Sequence, residues 1–287
     1  MVLKFNNADV QNVLYNGTQL ERLQLNGVTV WEHSQPVPSG TVIFEQGTAG
    51  SYDVTIPSAG EYYCTVVGGG GGSALSMHTS DSLPAVGSMV CGGGSGGYIN
   101  ATVRFDRPCA LRVTVGAAGT SYHVSRLSAA SGATWYANGG VGYLSNICSE
   151  LTKVVLQANG GGRGMVSGKI SGATHTGQWY SKFTYSMGSG GGWSWNNQTG
   201  ITVYNITSAT GNSGNWAQNG AVPTTSYGTY TATAQMVLTP NAQGGYGAGG
   251  GGSATTRRIQ NASDKSSWDH TQGSYGPYDG YVKIVKA

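Results

Sequence analysis

The chain has 287 residues, of which 49 are glycine and only 9% are charged, against usual shares of ~7% glycine and ~25% charge. Collagen would need glycine near one third on a strict three-residue period, and these glycines come in clumps instead. The 10% aromatic content and net charge of +3 argue against a disordered chain and leave no basic stripe for nucleic acid, and no apolar run approaches the ~18 residues that suggest membrane insertion.

Residues 1–33 read differently from the rest. MVLKFNNADV has neither an apolar signal core nor a small-residue cleavage site, so export through a leader is not expected. Tyr15-Asn16-Gly17-Thr18 and Leu25-Asn26-Gly27-Val28 each place Asn-Gly between strand-like residues, the pair that tolerates the positive φ of a type I′ hairpin turn. Together they predict a small three-stranded β-meander over 1–33, too small to stand alone and so docked on something else. Residues 34–40, with Pro36 and Pro38, form a stiffened linker. From Thr41 onward the chain reads as short strands. Tyr62, Cys64 and Val66 alternate with Tyr63, Thr65 and Val67; Ile99, Ala101, Val103 and Phe105 alternate with Asn100, Thr102 and Arg104; Leu111, Val113 and Val115 repeat the pattern. One wet and one buried face is the mark of antiparallel sheets. Tyr281–Val285 is the last strand, and no helix longer than a turn or two is expected.

Glycine clusters punctuate these strands at Gly68–Gly72, Gly92–Gly97, Gly160–Gly164, Gly190–Gly192 and Gly244–Gly252. Flexible linkers would fall between domains, whereas these recur throughout one domain and often continue a strand, as in Val66-Val67-Gly68. The pattern fits extended polyglycine-II helices lying side by side, in which a five-residue run spans roughly 16 Å. Without Cβ atoms the backbones approach closely and satisfy one another's N–H and C=O groups. The expected fold class is therefore all-β: a sandwich-like domain over 41–287 with packed polyglycine-II helices and long irregular loops, plus the N-terminal meander.

Chemistry finds little support. Gly93-Gly94-Ser95-Gly96-Gly97 matches a nucleophile elbow in letters only, since that motif needs a strand-to-helix turn with partner Asp and His. The histidines have no metal-ligand spacing, and no close acidic pair resembles a glycosidase dyad. No catalytic residue, metal or cofactor is expected. Cys64, Cys91, Cys109 and Cys148 lack any C-x-x-C pair; their number allows two disulfides or four packed thiols, and the packed reading is preferred. The better lead is aromatic. Long uncharged segments between the glycine clusters carry Trp135, Trp179, Tyr180, Trp193, Trp195, Trp216, Tyr227 and Tyr230 among Ser, Thr, Asn and Gly, the composition of adaptable binding surfaces. Any one of these rings is as well suited to fill a core short of Leu and Ile.

The run Ser51–Gly60 followed by Tyr62-Tyr-Cys-Thr-Val-Val-Gly-Gly-Gly-Gly-Gly72, then Gly92–Tyr98, Gly244–Gly252 and Asp279-Gly-Tyr-Val-Lys-Ile-Val285, resembles the glycine-rich tail-tip adhesins of tailed bacteriophages over roughly residues 41–287. The two Asn-Gly segments also look like segments common in phage and prophage structural proteins. The resemblance implies a non-catalytic receptor-binding protein of the virion. In such adhesins, loops between glycine helices recognise a host surface glycan or outer-surface protein. The N-terminal region would join a tail-fibre or baseplate protein, with no nucleic-acid partner and no membrane insertion. A structural tail subunit and a polysaccharide depolymerase are the alternatives.

Overall fold

A computed structural model describes residues 4–5, 8–9, 14–15, 18–19, 22–25, 28–32, 37–80, 85–121, 134–149, 153–167, 184–221, 228–237, 239–241, 244–260 and 266–287. The fold is all-β, with no helix and 59% strand among the described residues. At the N-terminus, strands pair as successive hairpins, Lys4–Phe5 with Ala8–Asp9, Leu14–Tyr15 with Thr18–Gln19, and Arg22–Leu25 with Val28–Glu32. The Asn16-Gly17 and Asn26-Gly27 pairs expected to form turns lie outside the described residues. Three two-stranded units thus stand where the sequence suggested one three-stranded meander.

Two five-stranded antiparallel sheets form a sandwich. One runs Ile201–Ala209, Tyr98–Phe105, Gly60–Val67, Tyr281–Lys286, Val42–Gln46; the other runs Trp193–Trp195, Lys153–Ala158, Ser145–Ser149, Cys109–Val115, Gly50–Ile56. Their inner faces share one core containing Ile56, Tyr62, Val66, Ile99, Phe105, Ile147, Leu156 and Ile284. The alternation seen in the sequence is realised: Tyr62, Cys64 and Val66 are buried while Tyr63 faces out. Phe105 packs edge-on against Tyr62 at 5.5 Å, and the Tyr62 hydroxyl donates to Ser58 O at 2.8 Å. Along Ile201–Ala209 the pairing with Tyr98–Phe105 slips at Asn100/Thr102, where Asn205 takes φ 50. This bulge changes which parity of residues faces the core, so Val203 and Ile206 both point inward.

At one end of the sandwich the chain leaves and returns repeatedly as glycine-rich lanes, residues 68–72, 92–97, 116–121, 138–144, 159–164, 187–192, 210–215 and 276–280, joined by a lane at 247–250 that lies between Thr239–Asn241 and Gly251–Gln260 in the chain. Hydrogen bonds run between lanes, not within them, and their direction repeats every third residue. Gly68 and Gly71 donate to lane 92–97, Gly69 and Gly72 to lane 138–144, and Gly70 to Tyr278 O, at 2.8–3.0 Å. Lane 92–97 does the same: Gly92 and Ser95 donate to lane 210–215, Gly93 and Gly96 to lane 247–250, Gly94 and Gly97 to lane 159–164. A threefold helix with no internal hydrogen bonds behaves in this way. Lane 68–72 accepts in turn from Gly119, Gly161, Gly164 and Gly250, so six lanes surround it. Around lane 92–97 the ring is completed by Thr239–Asn241, where Asn241 Nδ2 donates to Gly96 O and Asn212 Nδ2 to Pro240 O.

All four cysteines are free thiols, in keeping with the packed reading. Burial pushes the Cys91 thiol up to about 12 and raises Cys64 further. Because the thiolate is the reactive form, Cys64 and Cys91 should resist a thiol-reactive dye in native protein at about pH 8, where an ordinary cysteine is partly ionised. In denaturant four thiols should titrate; fewer would reveal a disulfide.

Candidate functional site

The molecule has two poles. At the base, the end of the linker is fastened to the last strand, with Gly40 N donating to Lys286 O at 2.8 Å and Lys286 N to Thr41 O at 2.9 Å. Glycine lanes leave from the opposite ends of the same strands, as Val67 runs into Gly68 and Tyr281 follows Gly280. Beyond the lanes lie smaller sheets. A central one has the order Thr134–Ala137, Ala74–Ser80, Ala85–Cys91, Trp216–Ala221. Against one face packs a three-stranded sheet, Gly228–Met236, Gly251–Gln260 and Ser266–Tyr275, through Leu75, Met77, Val90 and Ala254. Against the other packs the pair Met165–Ser167 and Thr184–Ser186, through Ala74, Met89, Cys91 and Val166. Much of what the sequence reads as irregular loop is therefore paired strand.

This distal unit presents a face bearing hydroxyl and amide side chains. Thr231, Thr233 and Gln235 are exposed on one strand. Thr233 Oγ1 lies 3.0 Å from Thr255 Oγ1 on the neighbouring strand, and Gln235 Nε2 donates to the Tyr275 hydroxyl at 3.3 Å. These cross-strand contacts hold the side chains in a fixed array. None of these five was among the sequence-predicted site residues, although the alternation Thr229-Tyr230-Thr231-Ala232-Thr233-Ala234-Gln235 is itself a half-buried strand signal.

The structure divides the predicted aromatic set. Trp135 lies on an edge strand of the central distal sheet and Tyr230 on the three-stranded sheet. Trp216 is half-buried against the Ala74–Met89–Cys91–Val166 cluster, its ring 5.2 Å from that of Tyr185. Trp193 and Trp195 are elsewhere: they pair with Ala158 and Leu156 on the outermost strand of the sandwich, 39% and 37% exposed. Trp179, Tyr180 and Tyr227 lie outside the described residues. Ser95 is fully buried, and its Oγ accepts from Asn212 N at 2.7 Å, which gives the Gly-Gly-Ser-Gly-Gly motif a lane-to-lane role. Among the described residues no three His, Cys, Asp or Glu side chains come together as a metal site would require.

No protein-family model matches the chain, and no curated protein matches it in sequence. Functional argument therefore rests on the arrangement itself. The sandwich carries the ion pairs Arg112–Asp53 at 2.7 Å, Arg104–Asp106 at 3.5 Å and Lys283–Glu45 at 3.1 Å. Glu45 is held below the usual carboxylate range by the Tyr281 hydroxyl first and Lys283 second.

Proposed function

We propose that the chain is a non-catalytic receptor-binding protein of a phage tail tip, fastened to a fibre or baseplate protein through its N-terminal hairpins and recognising a bacterial surface glycan or protein with its distal sheets. The observation that carries this reading is the polarity of the molecule: a base joined to the linker, a bundle of hydrogen-bonded lanes, and an array of hydroxyl and amide side chains at the far end. A bundle braced in three directions holds the array in place, and a preorganised surface loses less entropy on binding. Many copies on one particle would add avidity.

The experiment is staining of a broad panel of intact bacteria with fluorescently labelled full-length protein. Selective, saturable staining is expected, abolished by Thr231→Lys with Thr233→Lys on the distal face and retained by Trp193→Ala with Trp195→Ala on the sandwich edge. Recognition through hydroxyl and amide contacts is little screened, so raising salt from about 0.1 to about 0.5 M should change the staining less than ~twofold. Steep loss with salt, or staining abolished only by the sandwich-edge variant, would count against the distal assignment. Self-association without any staining would favour a structural subunit.

A further inference from the structure

Inward positions of the outer lanes are fixed by packing, but outward positions are not, so their chemistry reports something other than the fold. One flank of the bundle is mostly polar: Arg163, Ser189, Asn212, Ser213 and Asn215 are exposed there, along with Met187. The opposite flank exposes Val141, Tyr143 and Leu144 on lane 138–144, Tyr278 on lane 276–280, and Tyr246 leading into lane 247–250, at 48%, 61%, 39%, 48% and 43%. Adjacent apolar exposure of this kind marks an interaction surface.

Lane 116–121 runs between the two tyrosine-bearing lanes: Tyr143 N donates to Ala117 O at 2.9 Å, and Gly280 N to Gly116 O at 2.8 Å. Its outward residues are the half-buried Ala117 and Ala118, with the exposed Thr120 beyond them toward the distal sheets. The result is a straight trough with an alanine floor, Tyr143 on one side and Tyr278 on the other. Asp279 pins the floor, its carboxylate accepting from Ala118 N at 2.7 Å and Ala49 N at 3.1 Å, so its charge is engaged with backbone. Tyr246 closes the base end, stacked on Tyr281 at 4.5 Å and 19°.

We propose that this trough binds an extended saccharide chain lying along the bundle axis, as a second contact in addition to the distal array. It rests on the adhesin reading only in placing that saccharide on a bacterial surface. The exposed parts of these side chains offer roughly 480 Å², taking ~200 Å² for each whole side chain, short of the ~800 Å² per partner of a stable protein interface. That footprint suits a narrow chain better than a second protein copy. Tyrosine supplies both a flat apolar face and a hydroxyl, with few rotamers to freeze, which matches a pyranose ring with its apolar C–H face and hydroxyl rim. No uncommitted charge lines the trough among the described residues.

Affinity electrophoresis of the full chain tests this, in native gels cast with mannan, dextran, galactomannan, a linear β-glucan or a bacterial O-polysaccharide. At least one gel should retard the protein. Tyr143→Ala with Tyr278→Ala should weaken that retardation at least ~fivefold, the loss expected of two ring contacts. Tyr143→Phe with Tyr278→Phe keeps the stacking faces and should retain it, and Ser189→Ala with Ser213→Ala on the other flank should match wild type. Circular dichroism should show all three folded, because none of the side chains is buried. Retardation in no gel, equal retardation in the Ala variant, or a wild-type dimer that the Ala variant loses would each overturn the proposal. Bacterial staining that survives in the same Ala variant would leave the distal adhesin reading standing.

Discussion

Gly71→Ala should leave the chain without a cooperative unfolding transition. A Cβ built on Gly71 falls on the carbonyl oxygen of Gly162, and one built on Gly161 falls on that of Gly94. In an ordinary core an extra methyl costs ~1–3 kcal/mol, because side chains turn away to make room. Lane 68–72 has no side chains to turn. It donates to three lanes and accepts from three others, so any shift that clears the methyl breaks hydrogen bonds on the opposite side. The penalty should exceed the ~4–5 kcal/mol that marks exceptional substitutions, a large part of the ~5–15 kcal/mol stability of a domain. Gly192 and Gly245 are the controls: the nearest atom to a Gly192 Cβ is Asn159 Nδ2 at 3.6 Å, and Gly245 has nothing within 4 Å. Alanine at either should be neutral within ~0.5 kcal/mol, or slightly stabilising through the unfolded chain. Urea unfolding followed by circular dichroism decides. A Gly71→Ala midpoint matching that of Gly192→Ala would mean the lanes are not close-packed.

That contrast also explains which parts of the fold were legible beforehand. Clean alternation of apolar and polar residues in Tyr98–Phe105 and Cys109–Val115 marks them as sandwich strands, although Tyr98 and Thr102 on the outer side of the first are themselves buried. Ile201–Ala209 escaped because the Asn205 bulge resets its period midway. The central distal strands Ala74–Ser80 and Ala85–Cys91 escaped for another reason: sheets cover them on both faces, so no alternation exists to be read. Their small residues Ser76, Gly87 and Ser88 look like loop. The glycine runs identified lanes 68–72 and 92–97, which are enclosed and need glycine at nearly every position. Outer lanes touch neighbours on only part of their circumference, so a threefold helix needs glycine only at every third residue. Gly-x-x-Gly at 116–119, 139–142, 161–164, 188–191, 211–214 and 247–250 is that signal, weaker than a run and visible only once the lattice is known. The candidate site was harder to read. Trp193, Trp195 and Trp216 have the same local composition, and only strand pairing separates the sandwich edge from the distal cluster.

Phe105→Ala, far from any lane, should destabilise the bundle as much as the sandwich. Phe105 is 1% exposed and packs on Tyr62, and removing such a ring costs ~3–5 kcal/mol. The link to the bundle follows from what a glycine lane lacks. A backbone hydrogen bond contributes a net ~0.5–1.5 kcal/mol, while ordering one residue costs ~1–2 kcal/mol, more for glycine. With about one lane-to-lane bond per residue and no apolar side chain to bury, the lanes do not hold together unaided. They persist because strands grip them at both ends, Val67 before Gly68 and Ala74 after Ser73, Cys91 before Gly92 and Tyr98 after Gly97. Loosening the sandwich core therefore releases one grip at once on every lane but 247–250, which follows Thr239–Asn241 and runs into Gly251–Gln260. In native-state hydrogen exchange, the amides of Gly71 and Gly94, which donate to Gly94 O and Gly162 O, should lose the same ~3–5 kcal/mol of protection as the sandwich amide of Cys64. Protection of Gly71 and Gly94 left at its wild-type level, with Cys64 weakened, would show the bundle to be a separately stable unit. The rigidity invoked for the distal array would then come from the lanes alone and not from the sandwich behind them.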